Sequence, residues 1–224
     1  MQRQPRAIVY DVNETLSDMS AMAERFRDVG APPHLARLWF ASVLRDGFAL
    51  TAAGSAERFA VLGEHALGVV LSEVELDRPM AAAIDHVLSG IATLPLHPDV
   101  AGGVRRLGAA GIRQVTLSNG AAAVAESLLV GAGIRDAFDM LLSVEDADAW
   151  KPAASAYQHA ASATGVPTDE LMLVAVHPWD IHGAARAGLR TAWVDRAGTE
   201  YPHHFAPPET SIRSLEELAD ALGA

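Results

Sequence analysis

Short apolar runs alternate with helical patterns over much of the chain. The strand-like runs cover residues 7–12, 114–119, 138–144, 171–177 and 191–194. Their length and composition are typical of buried parallel strands. Between them, apolar residues recur at helical spacing in residues 100–110, 121–131, 153–164 and 181–187. This alternation predicts an α/β fold with a Rossmann-like parallel sheet covered by helices on both faces.

Residues 18–92 interrupt the alternation. They hold four helical patterns in succession and no convincing strand, with the helices expected at residues 19–29, 33–50, 55–69 and 73–89. We therefore predict a core of residues 1–17 and 93–224, with a four-helix cap domain of residues 18–92 inserted after the first strand. A closing helix is predicted at residues 211–222.

Composition narrows the function. Half of the 224 residues are apolar, enough to bury a substantial core. The net charge of -11 opposes binding to nucleic acid or acidic membranes, so a small anionic substrate needs a local positive site. Cysteine is absent, which excludes disulfides and cysteine catalysis. Because neither a signal peptide nor a membrane span is recognisable, we expect a cytoplasmic protein with no membrane partner.

Lysine usage singles out one position. Of the 17 basic residues only Lys151 is a lysine, and the other 16 are arginines. A single retained lysine indicates a site that needs a compact ammonium, although a compositional bias with one chance survivor is the alternative.

Polar residues follow several predicted strands. Asp11 ends the first strand, Ser118 and Asn119 end the second, and His177 ends the strand that precedes Asp180. In parallel sheets ligands bind beyond the carboxyl ends of the strands, so these residues are expected to share one cleft with Lys151. A nearby ammonium would keep Asp11 ionised, and the hydroxyl, amide and backbone N–H donors there would suit a substrate carboxylate.

Four motifs, taken in order, resemble those of the haloacid dehalogenase superfamily and, within it, of the 2-haloacid dehalogenases. The resemblance covers nearly the whole chain, including the place of the helical insertion. The motifs are Asp11-Val12-Asn13-Glu14-Thr15-Leu16, Thr116-Leu117-Ser118-Asn119-Gly120, Lys151-Pro152 and the segment from Trp179-Asp180 to Gly188.

The resemblance implies a two-step hydrolysis of short 2-halo carboxylic acids. Asp11 would displace halide from C2, and water would then hydrolyse the aspartyl ester. Thr15, Lys151 and Asp180 match positions that orient the nucleophile and support the water. Positions implied to contact substrate or to line the site are Val12, Asn13, Ser118, Asn119, Phe59, Trp179 and Tyr157. For Phe59, Trp179 and Tyr157, plain core packing is the alternative.

Asn13 separates this chain from the phosphatases of the superfamily. In the phosphatases of the family that this chain resembles, the pattern is Asp-x-Asp, and its second acid protonates a leaving oxygen. A halide leaves without a proton, so a dehalogenase does not need that acid. With Asn13 and a lone Asp180, a Mg²⁺ site is also less well provided with oxygen ligands. We therefore expect no cofactor, and Mg²⁺ only if the protein is a phosphatase.

The sequence departs from the resemblance at two positions. Phe40 stands where the family usually has a halide-binding arginine, and Arg37 and Arg45 flank it as expected surface charges. His177 replaces a smaller polar residue at the end of its strand. It could take a proton from the hydrolytic water, polarised by Asp180 or Glu14, or it could only hydrogen-bond the loop.

The leading hypothesis is thus a 2-haloacid dehalogenase with a 2-halo acid as substrate and halide as product. The alternatives are a related hydrolase with another substrate, such as a phosphatase or fluoro-acid enzyme, and a non-catalytic binder of small acids. A homodimer is plausible, with Trp39, Phe40 and Phe48 facing either a partner or the core.

Overall fold

The computed structural model describes residues 4–224, and its centre is a parallel sheet of six strands. The strands are β1 Ala7–Tyr10, β2 Arg113–Ser118, β3 Met140–Ser143, β4 Leu171–Ala175, β5 Arg190–Val194 and β6 Thr210–Ile212. They are ordered β3-β2-β1-β4-β5-β6, and each neighbouring pair is parallel. Since β1 lies between β2 and β4, the carboxyl ends of these three strands meet at the middle of one sheet edge.

Helices follow the strands and cover both faces of the sheet. In chain order the α-helices are α1 Met22–Arg27, α2 Leu35–Ala52, α3 Phe59–Val70, α4 Met80–Gly90, α5 Val100–Ala109, α6 Ala122–Gly131, α7 Ala154–Thr164, α8 Pro178–Arg186 and α9 Leu215–Leu222. Alternate residues of β1 point to opposite faces, as strand geometry requires. Ile8 and Tyr10 join the apolar cluster of α5 and α9, whereas Val9 joins the cluster of α7 and α8.

The helices α1 to α4, here called the inserted helices, lie between β1 and β2 in the chain, and no strand occurs among them. Their buried residues, including Phe26, Trp39 and Leu67, belong to the same apolar cluster as one face of the sheet. Contact with the core is close at Gly47 of α2, where an added Cβ would lie 2.4 Å from the ring of Trp150. The predicted α/β class and the helical insertion are confirmed.

The predicted closing helix was wrong at its start. Residues 210–212 form β6 beside β5, and α9 begins only at Leu215. The Ser214 hydroxyl accepts a hydrogen bond from the Glu217 N–H, while the Glu217 carboxylate accepts one from the Arg213 N–H. This capping box fixes the helix start, and the short edge strand before it was too brief for the apolar pattern to reveal.

Other boundaries moved for local reasons. Helix α8 begins at Pro178, three residues before its predicted start, because proline suits the first helical position. In the inserted segment, α3 begins at Phe59 and α4 at Met80, later than the patterns indicated.

Two of the three aromatic residues of α2 are buried, whereas Phe48 is half-buried and packs on Trp179. Trp39 is fully buried and Phe40 is 6% exposed, so neither forms a surface for a partner. A homodimer stays a prediction. Among residues 4–224, none of the helices is both long and apolar enough to cross a membrane.

Candidate active site

Four segments place polar side chains at the middle of the sheet edge. Asp11 follows β1, Ser118 ends β2, His177 follows β4 and Asp180 lies in the first turn of α8. The parallel registers of β1 with β2 and β4 set these strand ends side by side. The sequence-predicted residues are therefore brought together although they lie far apart along the chain.

Lys151 connects two carboxylates at the bottom of this site. Its Nζ donates to Asp11 Oδ1 at 2.8 Å and to Asp180 Oδ2 at 2.7 Å, and the lysine is fully buried. Burial alone would lower the pKa of Lys151, but the two carboxylates raise it above its ordinary value. The ammonium therefore stays charged, as the isolated lysine in the sequence suggested.

Asp11 is ionised despite being only 4% exposed. Burial would raise its pKa, yet Lys151 and His177 together hold the pKa well below the usual range for aspartate. The Thr15 hydroxyl also donates to Asp11 Oδ2 at 2.7 Å and accepts the Val176 N–H at 3.1 Å. Each oxygen of Asp11 is thus held in place by at least one donor.

Asp180 is held by a second donor. The Tyr157 hydroxyl donates to Asp180 Oδ1 at 2.6 Å, and both residues are fully buried. Burial, opposed by Lys151, leaves the pKa of Asp180 above its ordinary value. Gly183 makes room for this contact, because an added Cβ there would lie 2.6 Å from the Tyr157 hydroxyl. Tyr157 therefore supports the site directly.

His177 contacts Oδ2 of Asp11, the oxygen that Lys151 does not contact. Its Nδ1 lies 3.1 Å from Asp11 Oδ2, and its Nε2 lies 2.8 Å from Glu14 Oε2. Burial would lower the pKa of His177, but the two carboxylates raise it to about 9. At neutral pH the ring is an imidazolium that donates to both. Glu14 is the acid that polarises it, whereas Asp180 bonds to Lys151 and Tyr157 instead.

Glu14 reaches His177 from an unusual backbone conformation. Its φ is 62°, in the left-handed region that non-glycine residues rarely adopt. Such a conformation costs about 1–3 kcal/mol and persists only when surrounding contacts hold it. The contact of the Glu14 side chain with His177 is one of the contacts that accompany this conformation.

The second motif supplies further donors near Asp11. Ser118 Oγ accepts the Gly120 N–H at 2.9 Å and keeps its own proton for another acceptor. The Asn119 side chain accepts the Lys151 N–H at 3.0 Å and so fixes the segment that carries the ammonium. The residues that follow Asp11, Val12 and Asn13, are also buried.

A chain of aromatic rings closes the site on the side of the inserted helices. Phe59 lies 6.3 Å from Phe40, Phe40 lies 6.5 Å from His177, and His177 lies 4.9 Å from Trp179, measured between ring centroids. Phe59 also stacks on Trp150. Phe59 belongs to the apolar core, Trp179 is half-buried against His177, and Phe40 lies between Phe59 and His177.

A cleft of about 470 Å³ opens beside this aromatic wall. It is lined from α2 by Arg37 and Phe40, and from the core by Glu14, His97 and His177, among others. Arg37 is thus exposed, as expected, yet it faces the cleft. Arg45 is a surface residue paired with Asp46.

Two residues near the site were missed by the sequence reading. His97 and Arg196 both line the cleft and donate to the backbone of the first motif. Neither ends an apolar strand pattern or belongs to a recognised motif, so no signal in a single sequence marks them.

The arrangement favours nucleophilic chemistry. It holds a buried ionised carboxylate between an ammonium and an imidazolium, and the imidazolium of His177 also lines the cleft. Within residues 4–224, no group of three or more histidine, aspartate or glutamate side chains has the arrangement of a metal site.

Three features together define a class of hydrolases with an α/β fold. They are a carboxylate after the first strand, an ammonium between it and a second acid, and an inserted helical segment. A sequence model of the haloacid dehalogenase-like hydrolases matches residues 5–188, and the chain belongs to this family.

Known relatives match over nearly full length. The chain is 30% identical to (S)-2-haloacid dehalogenase H-109 of Pseudomonas putida, over 96% of both chains. It is also 30% identical to (S)-2-haloacid dehalogenase 4A of Burkholderia cepacia, over 95% of this chain and 93% of that one. A crystal structure described as a dehalogenase with an intermediate complex superposes with a TM-score of 0.91 at 28% identity, covering both chains completely.

Proposed function

We propose that this protein hydrolyses short 2-halo carboxylic acids and that Asp11 is the nucleophile. The observation that carries the proposal is the buried Asp11 carboxylate, kept ionised by Lys151 at 2.8 Å and by His177 at 3.1 Å. Burying an ionised carboxylate removes its hydration and is unfavourable. Buried charges with strongly perturbed pKa values are therefore typical of functional sites. The dehalogenases to which the chain is similar supply the reaction class.

In the first step an Asp11 oxygen attacks C2 of the substrate. A carbon–oxygen bond forms, the carbon–halogen bond breaks, and the halide leaves with the bonding electrons. The Ser118 hydroxyl, with the Asn119 side chain and nearby backbone N–H groups, binds the substrate carboxylate. The halide leaves towards Phe40 and Phe59, where the imidazolium of His177 provides the cation that the missing arginine does not.

In the second step His177 acts as the base, and the order of events makes this possible. An imidazolium with a pKa of about 9 cannot accept a proton at neutral pH. Ester formation removes the negative charge of Asp11, which is one of the two interactions that raise the pKa of His177. The ring then releases a proton through Glu14, whose side chain is 43% exposed.

The neutral imidazole next takes a proton from water as that water attacks the aspartyl ester. One hydrogen of the water restores the imidazolium and the other ends on the product hydroxyl, while Asp11 returns as a carboxylate. Lys151 and Asp180 hold the ester in place, and Thr15 fixes the orientation of Asp11. The cycle therefore balances without another reactant.

We further propose that residues 18–92 act as a cap over a core of residues 1–17 and 93–224, and that the reaction needs no metal. The first part rests on the aromatic wall that α2 and α3 contribute to the site. The second rests on Asn13 and on Lys151, whose ammonium already takes one oxygen from Asp11 and one from Asp180.

The deciding experiment measures halide release from a panel of chloro-, bromo- and fluoro-carboxylates in the presence of a chelator. Release that survives chelation and is abolished in Asp11→Asn supports the proposal. Phosphate-ester turnover that requires Mg²⁺, with no halide release, refutes it and favours the phosphatase alternative. Binding of 2-halo acids without any turnover favours the non-catalytic binder.

A second experiment isolates His177. Rapid mixing followed by mass spectrometry of the intact protein is expected to show an ester on Asp11 that persists in His177→Ala and decays in wild type. General-base catalysis contributes on the order of 10²–10⁴ to a rate, so the ester should accumulate clearly. His203→Ala, in an exposed loop, is the matched control. Normal ester decay in His177→Ala removes the ring from the mechanism.

A further inference from the structure

Three consecutive backbone carbonyls of the first motif are held from outside the motif. His97 Nε2 donates to the Glu14 carbonyl at 3.1 Å, and the His97 backbone N–H donates to the Leu16 carbonyl at 2.9 Å. Arg196 Nη2 donates to the Thr15 carbonyl at 2.9 Å. His97 and Arg196 therefore fix the backbone of Glu14, Thr15 and Leu16.

Arg196 is itself anchored to two helices. Its Nη1 lies 2.7 Å from Asp99 Oδ1, just before α5, and Asp99 Oδ2 accepts the Leu215 N–H at the start of α9. The side chains of Arg196 and Asp99 are only 19% and 13% exposed. A guanidinium held in this way is a rigid support, since a mostly buried charge pair loses little to solvent or to side-chain freedom.

His97 serves as a neutral donor. Burial lowers the pKa of His97, and neighbouring Arg196 lowers it further. A carbonyl can only accept, so Nε2 carries the proton. The contact thus stays in place across the neutral pH range.

Glu14 is the residue that needs this support. Its positive φ is unfavourable for a residue with a side chain, so the loop would relax without external contacts. In the relaxed loop the carboxylate would no longer meet Nε2 of His177, which it now does at 2.8 Å.

We propose that His97 and Arg196 are positioning residues that hold Glu14 against His177 and thereby set the rate and the pH dependence of ester hydrolysis. This rests on the proposed function. Ester formation depends on Asp11, Lys151 and Thr15 and on the His177 imidazolium, which keeps its own contact with Asp11 at 3.1 Å, so it changes less than ester decay when the support is lost.

The test uses pH profiles of both steps in single turnover. In wild type, ester decay needs neutral His177 and therefore falls on the acid side. Several charged or titratable groups face Glu14 and His177 from the surrounding elements. They are Asp11, Asp18, Arg37, His97 and Arg196.

His97→Leu and Arg196→Gln are expected to slow ester decay by about tenfold, a part of the roughly 10²–10⁴-fold that general-base catalysis contributes, and to change ester formation less than about twofold. Loss of the Glu14 contact makes His177 easier to deprotonate, so the acid limb of ester decay moves to lower pH, in the same direction as in Glu14→Gln. His97→Gln keeps a donor of similar reach. It is expected to restore much of the rate of ester decay and of the position of its acid limb.

Arg190→Gln is the matched control. Arg190 lies at the opposite end of β5, where it pairs with Glu209 at 2.7 Å and is 16% exposed. We expect this variant to lose stability without moving the acid limb.

An acid limb that stays fixed in His97→Leu and Arg196→Gln, or that moves equally in Arg190→Gln, overturns the inference. If Glu14→Gln moves the limb while these variants do not, the proposed function stands and only the positioning role falls. If wild type forms no ester, the proposed function itself falls.

Discussion

Replacing Lys151 with methionine removes the charge while keeping a side chain of similar length. In the wild-type protein Nζ lies 2.8 Å from Asp11 and 2.7 Å from Asp180, and all three side chains are at most 6% exposed. The variant leaves two buried carboxylates side by side without their common cation. Removing one partner of a buried ion pair costs about 3–5 kcal/mol, and we expect Lys151→Met to lose that much stability at pH 7.

The loss should depend on pH in a defined direction. In wild type the folded-state pKa of Asp11 is depressed, so its contribution to stability is present above the unfolded pKa and is lost as pH falls. In Lys151→Met the same carboxyl, now buried without the ammonium, has a raised folded pKa. The ionised Asp11 carboxyl therefore destabilises the variant at neutral pH, and this destabilisation disappears as the carboxyl becomes protonated. The second effect narrows the difference between the two proteins as pH is lowered from 7 towards 4, whereas the first begins only below the unfolded-state pKa of aspartate, about 3.9.

Urea unfolding followed by circular dichroism at pH 7, 6 and 5 measures this difference, with halide release recorded in parallel. Adding Asp180→Asn to Lys151→Met removes one of the unpaired carboxylates and should recover part of the stability but none of the activity. Arg45→Met, which breaks an exposed pair, is the control and is expected to change neither. A stability difference that is the same at pH 5 and pH 7 would refute the electrostatic reasoning.

Two further variants test other parts of the site. Gly183→Ala places a Cβ 2.5 Å from Pro152 and 2.6 Å from the Tyr157 hydroxyl, so we expect a loss of about 1–3 kcal/mol in thermal unfolding and a lower kcat; unchanged activity would mean that Tyr157 can move without consequence. Arg37→Gln removes a cation from the cleft and should lower kcat/KM for 2-halo acids several-fold at low salt, with less effect at high salt. Arg45→Gln, the same charge change on the same helix, should leave kcat/KM unchanged, and equal losses in both would show a general rather than a local field.

The centre of the fold and of the candidate site could be predicted from the sequence because both depend on strong local patterns. An acid that ends an apolar strand, as Asp11 does, and a single lysine in an arginine-rich chain are visible without coordinates. The proximity of Lys151 to Asp11 was expected from the meeting of parallel strand ends, whereas the bond from Lys151 to Asp180 was not predicted. The fold class needed only the alternation of runs.

The rest depends on contacts between distant segments. Strand β6 has three residues and is defined by pairing with β5, so it leaves no periodic signal. His97 and Arg196 donate to backbone carbonyls of the first motif. Every residue has a backbone carbonyl, so the residue types at these positions do not indicate the contacts. The charge state of His177 also depends on two acids from the first motif, Asp11 and Glu14, and on the distances at which the fold sets them.

The route by which the chain leaves the sheet limits how the protein can be re-engineered. Ser17 pairs with Leu96 in an antiparallel bridge, and the Asp18 N–H donates to the Pro95 carbonyl at 2.8 Å, so the outgoing and returning chains run side by side. The segment just before this junction carries Asp11, Glu14 and Thr15. An exchange of the inserted helices with those of a relative should therefore be spliced after Asp18 and before Pro95, so that the paired residues stay with the core. A splice nearer to β1 would replace part of the segment that carries Asp11, Glu14 and Thr15 together with the helices.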